Sequence, residues 1–392
     1  MVYDFDSVIN RYNTNSLKFD MKKEYGQPED VLPMWVADMD FPVLPEVTKA
    51  IMSRAQHPVY GYSVAGDDYF KSVMEWMKKR YSYITEKEWY VTAPGVVFAL
   101  AVAIRAYTKP GDAVMINTPV YPQFYQVIKN NERKIVKSPL VLHRNEEDHY
   151  EMNFKEIEEN IIKNDVKLYI LCSPHNPVGR VWTKEELLTL GSILKKHNVL
   201  LVSDEIHMDF VYSGYRHHIF AGLKKEFENF TITCTAPSKT FNLAGLQIAN
   251  IIIADEELRK QFVREFRRTG YAEPNIFGVE ACQAAYEYGA EYMDQLVSYL
   301  EDNCKIVKDY LHTYLPKIKI AHIEGTYLMW LDFLDYGLSQ LELNNKIKLD
   351  AKLWLNQGDK FGEEGVGFER MNIAVPRSVL QQGLDQLREA FS

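Results

Sequence analysis

Five short apolar runs dominate the middle of the chain, none with the alternation of a half-wet strand. They are Ala113 to Asn117, Lys167 to Cys172, Val199 to Ser203, Thr231 to Thr235 and Ile248 to Ile253. Continuous runs of this kind mark strands buried on both faces of a parallel or mixed sheet. Amphipathic helical patterns lie before and between them, among them Asp67 to Lys79 and Val96 to Tyr107. Helix and strand in alternation over residues 50–285 predict an α/β fold, with a mostly parallel sheet between two helical layers. Ligands of such sheets gather beyond the carboxyl ends of the strands.

From about residue 286 the pattern changes. A long helix (Ala290 to Leu315) leads to two strands, Thr326 to Phe333 and Arg370 to Val375, and a closing helix from Ser378 to Phe391. Residues 286–392, joined by 1–49, are expected to form a smaller α+β domain with a cleft facing residues 50–285. A chain of 392 residues, 46% hydrophobic and 25% charged, supplies enough apolar surface for both.

The net charge of −9 argues against general nucleic-acid or anionic-membrane binding. No segment is long and apolar enough to span a bilayer, and MVYDFDSVINRY lacks the pattern of a signal peptide. Cys172, Cys234, Cys282 and Cys304 show no paired spacing. Reduced thiols in a cytoplasmic protein are the expectation, and no metal site is expected.

Three polar residues stand at the ends of three consecutive apolar runs. Asn176 follows the run ending at Cys172, Asp204 the run ending at Ser203, and Lys239 the run ending at Thr235. Singly, each has a plainer reading: a turn, a helix cap, a solvated lysine. Together they match the needs of pyridoxal 5′-phosphate (PLP). The lysine holds the aldehyde carbon, the aspartate keeps the ring nitrogen protonated, and the asparagine bonds the ring hydroxyl. Gly95, Val96 and Val97 open a helix after a strand, a place for a phosphate. Ser238 adds a hydroxyl, and Pro237 is expected to keep the lysine turn out of regular helix. Tyr121 could stack on the ring. Arg370 is a candidate for a substrate carboxylate, with Arg377 a rival.

The chain resembles the fold-type-I PLP enzymes of the class I/II aminotransferase group, and within it the MalY/PatB-type cystathionine β-lyases, or C–S lyases. The motifs that carry this are MWVADMDFP, VYGYS, TPVYPQFY, LCSPHNPVGRVWT, SDEIHMDF, SKTFN, GTYLMWLD and GFERMNIAVPRS. The resemblance implies that Lys239 carries PLP, with Asp204, Asn176, Tyr121 and His207 around the ring. It puts Gly95, Val96, Val97 and Ser238 on the phosphate. It assigns Arg370 and Asn176 to the substrate, and Tyr62 to a site shared across a homodimer. His207 stands where aminotransferases usually have tyrosine, and Gln247 where they commonly have arginine. Both departures favour elimination from an S-substituted L-cysteine over amino transfer. An aminotransferase is the rival reading. A PLP-binding regulator is a second, and the early onset of the enzyme pattern, by about Met34, speaks against it.

Overall fold

In a computed structural model of the chain, residues 2–144 and 148–392 are described. The core is a seven-stranded sheet. Its strands are β1 (Tyr90–Ala93), β2 (Ala113–Thr118), β3 (Lys134–Pro139), β4 (Val166–Cys172), β5 (Leu200–Asp204), β6 (Thr231–Thr235) and β7 (Ala249–Ile252). They lie in the order β1-β7-β6-β5-β4-β2-β3. All pairings are parallel except the two made by β7. The apolar runs predicted the strands but not this reversal. Between β6 and β7 the chain forms only a four-residue helical turn and one 3-10 turn. With no long crossover helix to carry it to the far end of the sheet, it returns antiparallel. β1 is the strand expected ahead of the Gly95 turn, whereas β3 is not among the expected strands. β1 is short and half-buried at an edge, and β3 carries exposed lysines.

Strands β2, β4, β5 and β6 are buried along almost their whole length, as continuous apolar runs require. Helix α1 (Asp67–Tyr81) lies outside the sheet, whereas α2 (Val96–Tyr107) packs against β1, β4, β5, β6 and β7. The sequence of α2 is apolar almost throughout, which suits a helix covered on most sides.

The C-terminal part holds α3 (Ala290–Tyr314) and α4 (Arg377–Phe391). Beside them lies an antiparallel sheet of β8 (Lys319–Ile320), β9 (Leu328–Asp332), β10 (Asn356–Gln357) and β11 (Phe368–Asn372), ordered β8-β9-β11-β10. The N-terminal segment joins it. Leu32 and Pro33 pair in parallel with Leu353 and Trp354. Residue 50 falls inside the helix Pro45–Gln56, which packs on Ile276–Tyr288.

Candidate active site

The carboxyl ends of β4, β5 and β6 open on one cavity. Ala37, Gly95, Val96, Val97, Tyr121, Asn176, Asp204, His207, Ser238, Lys239 and Gln247 are among its lining. Nine residues expected from the sequence thus meet in one place. Asn176 and Asp204 are buried, and Lys239 shows its surface only in part.

Lys239 lies in the turn Pro237–Thr240, directly after β6. Here the sequence expectation needs correction. Pro237 does not keep the turn out of helix; it occupies the first helical position, where its missing N–H costs nothing. The Lys239 ammonium donates to the Ala37 carbonyl at 2.6 Å. Burial pushes its pKa down to about 8, against the pull of Asp38 and Asp204 and with help from Arg370.

Asp204 ends β5, and its carboxylate accepts the Ile206 N–H at 3.2 Å. Burial pushes its pKa up to about 7, opposed by Ile206 and the charge of Lys239. A carboxylate so poorly paired calls for a cationic partner. His207 is buried with Nδ1 unpartnered, and burial holds its pKa well below the ordinary histidine range.

Arg370, on β11, bonds the lining residue Asn176 but is not itself among the residues lining the cavity. Its guanidinium donates to Asn176 Oδ1 and to the Trp35 carbonyl, both at 2.9 Å, and leaves Nε unpartnered. It also lies 5.0 Å from the centroid of the Phe361 ring. Burial lowers its pKa to about 10. Arg377, the rival, is paired at the surface with Asp302 instead. Tyr62 is fully exposed on this chain and lies outside the cavity lining.

The donors fit PLP. Helix α2 begins after Gly95 with no side-chain cap, so its first N–H groups are free for an anion. A side chain at Gly95 would project into open space, so this corner is open to a ligand. The poorly paired Asp204 and the orphaned Arg370 Nε complete a set suited to a cationic ring nitrogen and a carboxylate. Among the described residues, His143, His149 and Glu151 also bring donor atoms within 4.8 Å of one another. Both imidazoles already bond the Glu151 carboxylate, so this exposed hairpin face is satisfied as it stands.

Several site residues escaped the sequence reading. Ala37 contributes a carbonyl, Tyr327 donates its hydroxyl to that same carbonyl at 2.9 Å, and Asn242 grips Met39 by both backbone groups. They lie in MWVADMDFP, SKTFN and GTYLMWLD, motifs that carry the resemblance without pointing to these residues singly.

A mostly parallel sheet with a half-buried lysine beyond its strand ends is the architecture of the fold-type-I PLP enzymes. The family description "Aminotransferase class I and II" matches residues 29–387, and the chain belongs to that family. It is 40% identical to cystathionine beta-lyase PatB of Bacillus subtilis over 389 residues, which is 99% of this chain and 100% of the relative. Among solved structures, cystalysin of Treponema denticola, which contains a pyridoxal 5′-phosphate cofactor, superposes with a TM-score of 0.95 at 38% identity. The match covers 100% of this chain and 99% of that one. The PLP-bound C–S lyase of Staphylococcus hominis gives a TM-score of 0.91 at 34% identity, covering 100% and 98%.

Proposed function

We propose that this chain is a PLP-dependent carbon–sulfur β-lyase. It converts L-cystathionine, or a related S-substituted L-cysteine, to pyruvate, ammonia and a thiol. The observation that carries this reading is the half-buried Lys239 with Asp204 and Asn176 at adjoining strand ends, in a chain similar from end to end to PatB.

Lys239 would hold the cofactor, Asp204 and Asn176 its ring, and Tyr121 and His207 would border the ring faces. The first turn of α2, at Gly95, Val96 and Val97, would take the phosphate with Ser238. Bound there, PLP supplies an electron sink for charge developing at the substrate α-carbon. Arg370 fixes the substrate carboxylate, with Asn176 beside it. Once the substrate's amino group has taken its place, the freed Lys239 amine, its pKa lowered to about 8, would serve as the base that takes the Cα proton. The thiolate leaving from Cβ has an ordinary pKa of about 8.5 and needs little help.

His207 and Gln247 support elimination over amino transfer. Among the described residues lining the cavity there is no arginine, and Gln247 is one of them. A homodimer is part of the same reading. Val59, Tyr60, Tyr62 and Val64 form an exposed apolar stretch suited to a second copy, with Tyr62 reaching that copy's site. We place the large domain at 50–285, the small one at 1–49 with 286–392, and the protein in the cytoplasm. Four buried free cysteines support that location, and no described helix is long and apolar enough to cross a membrane. The test is to incubate PLP-loaded protein with L-cystathionine. Pyruvate and free thiol should appear in equal amounts over many turnovers. Neither appearing would defeat the proposal.

A further inference from the structure

Residues 35–40 cross from the C-terminal sheet to the Lys239 turn without regular structure of their own. Side-chain amides hold them there. Asn372 donates to the Val36 and Asp38 carbonyls, and Asn356 to that of Trp35. Asn242 accepts the Met39 N–H and donates back to the Met39 carbonyl. At the middle of this strap the Ala37 carbonyl receives both the Lys239 ammonium and the Tyr327 hydroxyl.

A knot of charges sits directly behind it. Lys18 is completely buried, in the four-residue helix Leu17–Asp20. Its ammonium is 2.8 Å from Asp40 and 3.8 Å from Asp38. Arg11 reaches the same pair, at 2.6 Å from Asp40 and 2.5 Å from Asp38. Taking two cations and two carboxylates out of water costs several kcal/mol per ion before their attraction offsets it. A hydrophobic plug would stabilise this corner as well. What a plug could not supply is directional pairing to Asp38 and Asp40, which adds to the amide bonds in fixing the strap in one register.

We infer that Lys18 is a positioning residue for the reaction: through Asp38 and Asp40 it fixes the Ala37 carbonyl as the docking point of the Lys239 amine. The inference rests on the reading of Lys239 as the cofactor lysine and base. The charged and titratable groups facing Lys239 are Asp38, Asp204, Arg370 and His207. Tyr327 shares its acceptor. Of these, only Asp38 belongs to the strap, and its charge is balanced by Arg11 and Lys18. Removing Lys18 leaves Asp38 and Asp40 under-compensated, which favours the protonated amine and loosens its docking point.

The test is made on PLP-loaded protein with the variants Lys18→Met, Lys18→Arg and Arg11→Gln. The pH titration of the cofactor's visible absorbance is recorded beside kcat and KM. Lys18→Met should lower kcat about tenfold with KM changed by less than about threefold, and move the titration midpoint upward. Lys18→Arg should recover most of both. Arg11→Gln, at a partly exposed site, should lower kcat by about threefold or less and move the midpoint in the same direction by less than Lys18→Met does. If Lys18→Met fails to fold, Arg11→Gln decides alone, and an unmoved midpoint there overturns the inference. A Lys18→Met protein of lowered melting temperature but unchanged kcat and midpoint makes Lys18 merely structural and overturns it as well. Wild-type protein that acquires no absorbance dependent on Lys239 overturns the functional reading and this inference together. Normal wild-type absorbance with identical titration in the variants overturns the inference alone.

Discussion

The strand ends and the strap reach the same cavity by opposite means. Asn176, Asp204 and Lys239 are placed by regular backbone: three parallel strands end side by side, and each delivers one side chain. Residues 35–40 have no strand or helix to place them, and what they deliver is a backbone carbonyl. The first region is rigid because a sheet buried on both faces has nowhere to move. The second is rigid only while Asn242, Asn356, Asn372 and the Lys18 knot hold it. Chemistry that must be fixed is thus built on the sheet, and the contact that a moving lysine must make and leave is built on the strap.

Substitutions can break this contrast at graded cost. Lys239→Ala should remove the base and the cofactor's anchor together and lower turnover by about a thousandfold or more. Pyruvate release from L-cystathionine measures this, and retained activity would remove Lys239 from the centre. Asp204→Ala should lower both cofactor affinity and rate, by about a hundredfold in kcat. Titrating PLP into the cofactor-free protein, followed by the same assay, reads both. Arg370→Lys keeps the charge but loses the fork that reaches Asn176 and Trp35. KM should rise about tenfold to a hundredfold while the visible absorbance stays in place. A change in kcat alone would assign Arg370 a different task.

Smaller effects sharpen the contrast. Asn242→Ala cuts the strap from the lysine turn and leaves the Met39 N–H without its partner. A stability loss of about 2 kcal/mol is expected, read by thermal unfolding, with the sheet's own far-UV signal unchanged. Asp204 supplies a pH test of the sheet side. Folded, it holds its proton up to about 7, against about 3.9 in an unfolded chain. The folded state therefore binds the extra proton between those values, and the cofactor-free protein should lose stability as pH rises across that window. Asp204→Asn should flatten the loss, raising the melting temperature at pH 8 but not at pH 4.

The same contrast explains what could be read without coordinates. A polar residue closing an apolar run is conspicuous, because a buried charge needs a reason. That made Asn176, Asp204 and Lys239 legible, and the helix start after Gly95 legible by its turn. Ala37 was not, because every residue type offers the same carbonyl and only its neighbours decide whether it is used. Lys18 reads as a surface lysine until Asp40 is seen beside it. Strand direction is equally invisible in an apolar run, so β7 was recognised as a strand while its reversal was not. The role of Pro237 was misjudged because a proline stops a helix only from inside; at the first position it begins one.

The central claim is that the site eliminates rather than transfers. The direct measurement is to give PLP-loaded enzyme L-cystathionine with and without a 2-oxo acid, and to follow pyruvate, thiol and any new amino acid together. The account predicts equal rates of pyruvate and thiol release in both mixtures, and no amination of the 2-oxo acid. Turnover that stalls without the 2-oxo acid, and then produces one amino acid for each cystathionine consumed, would contradict it.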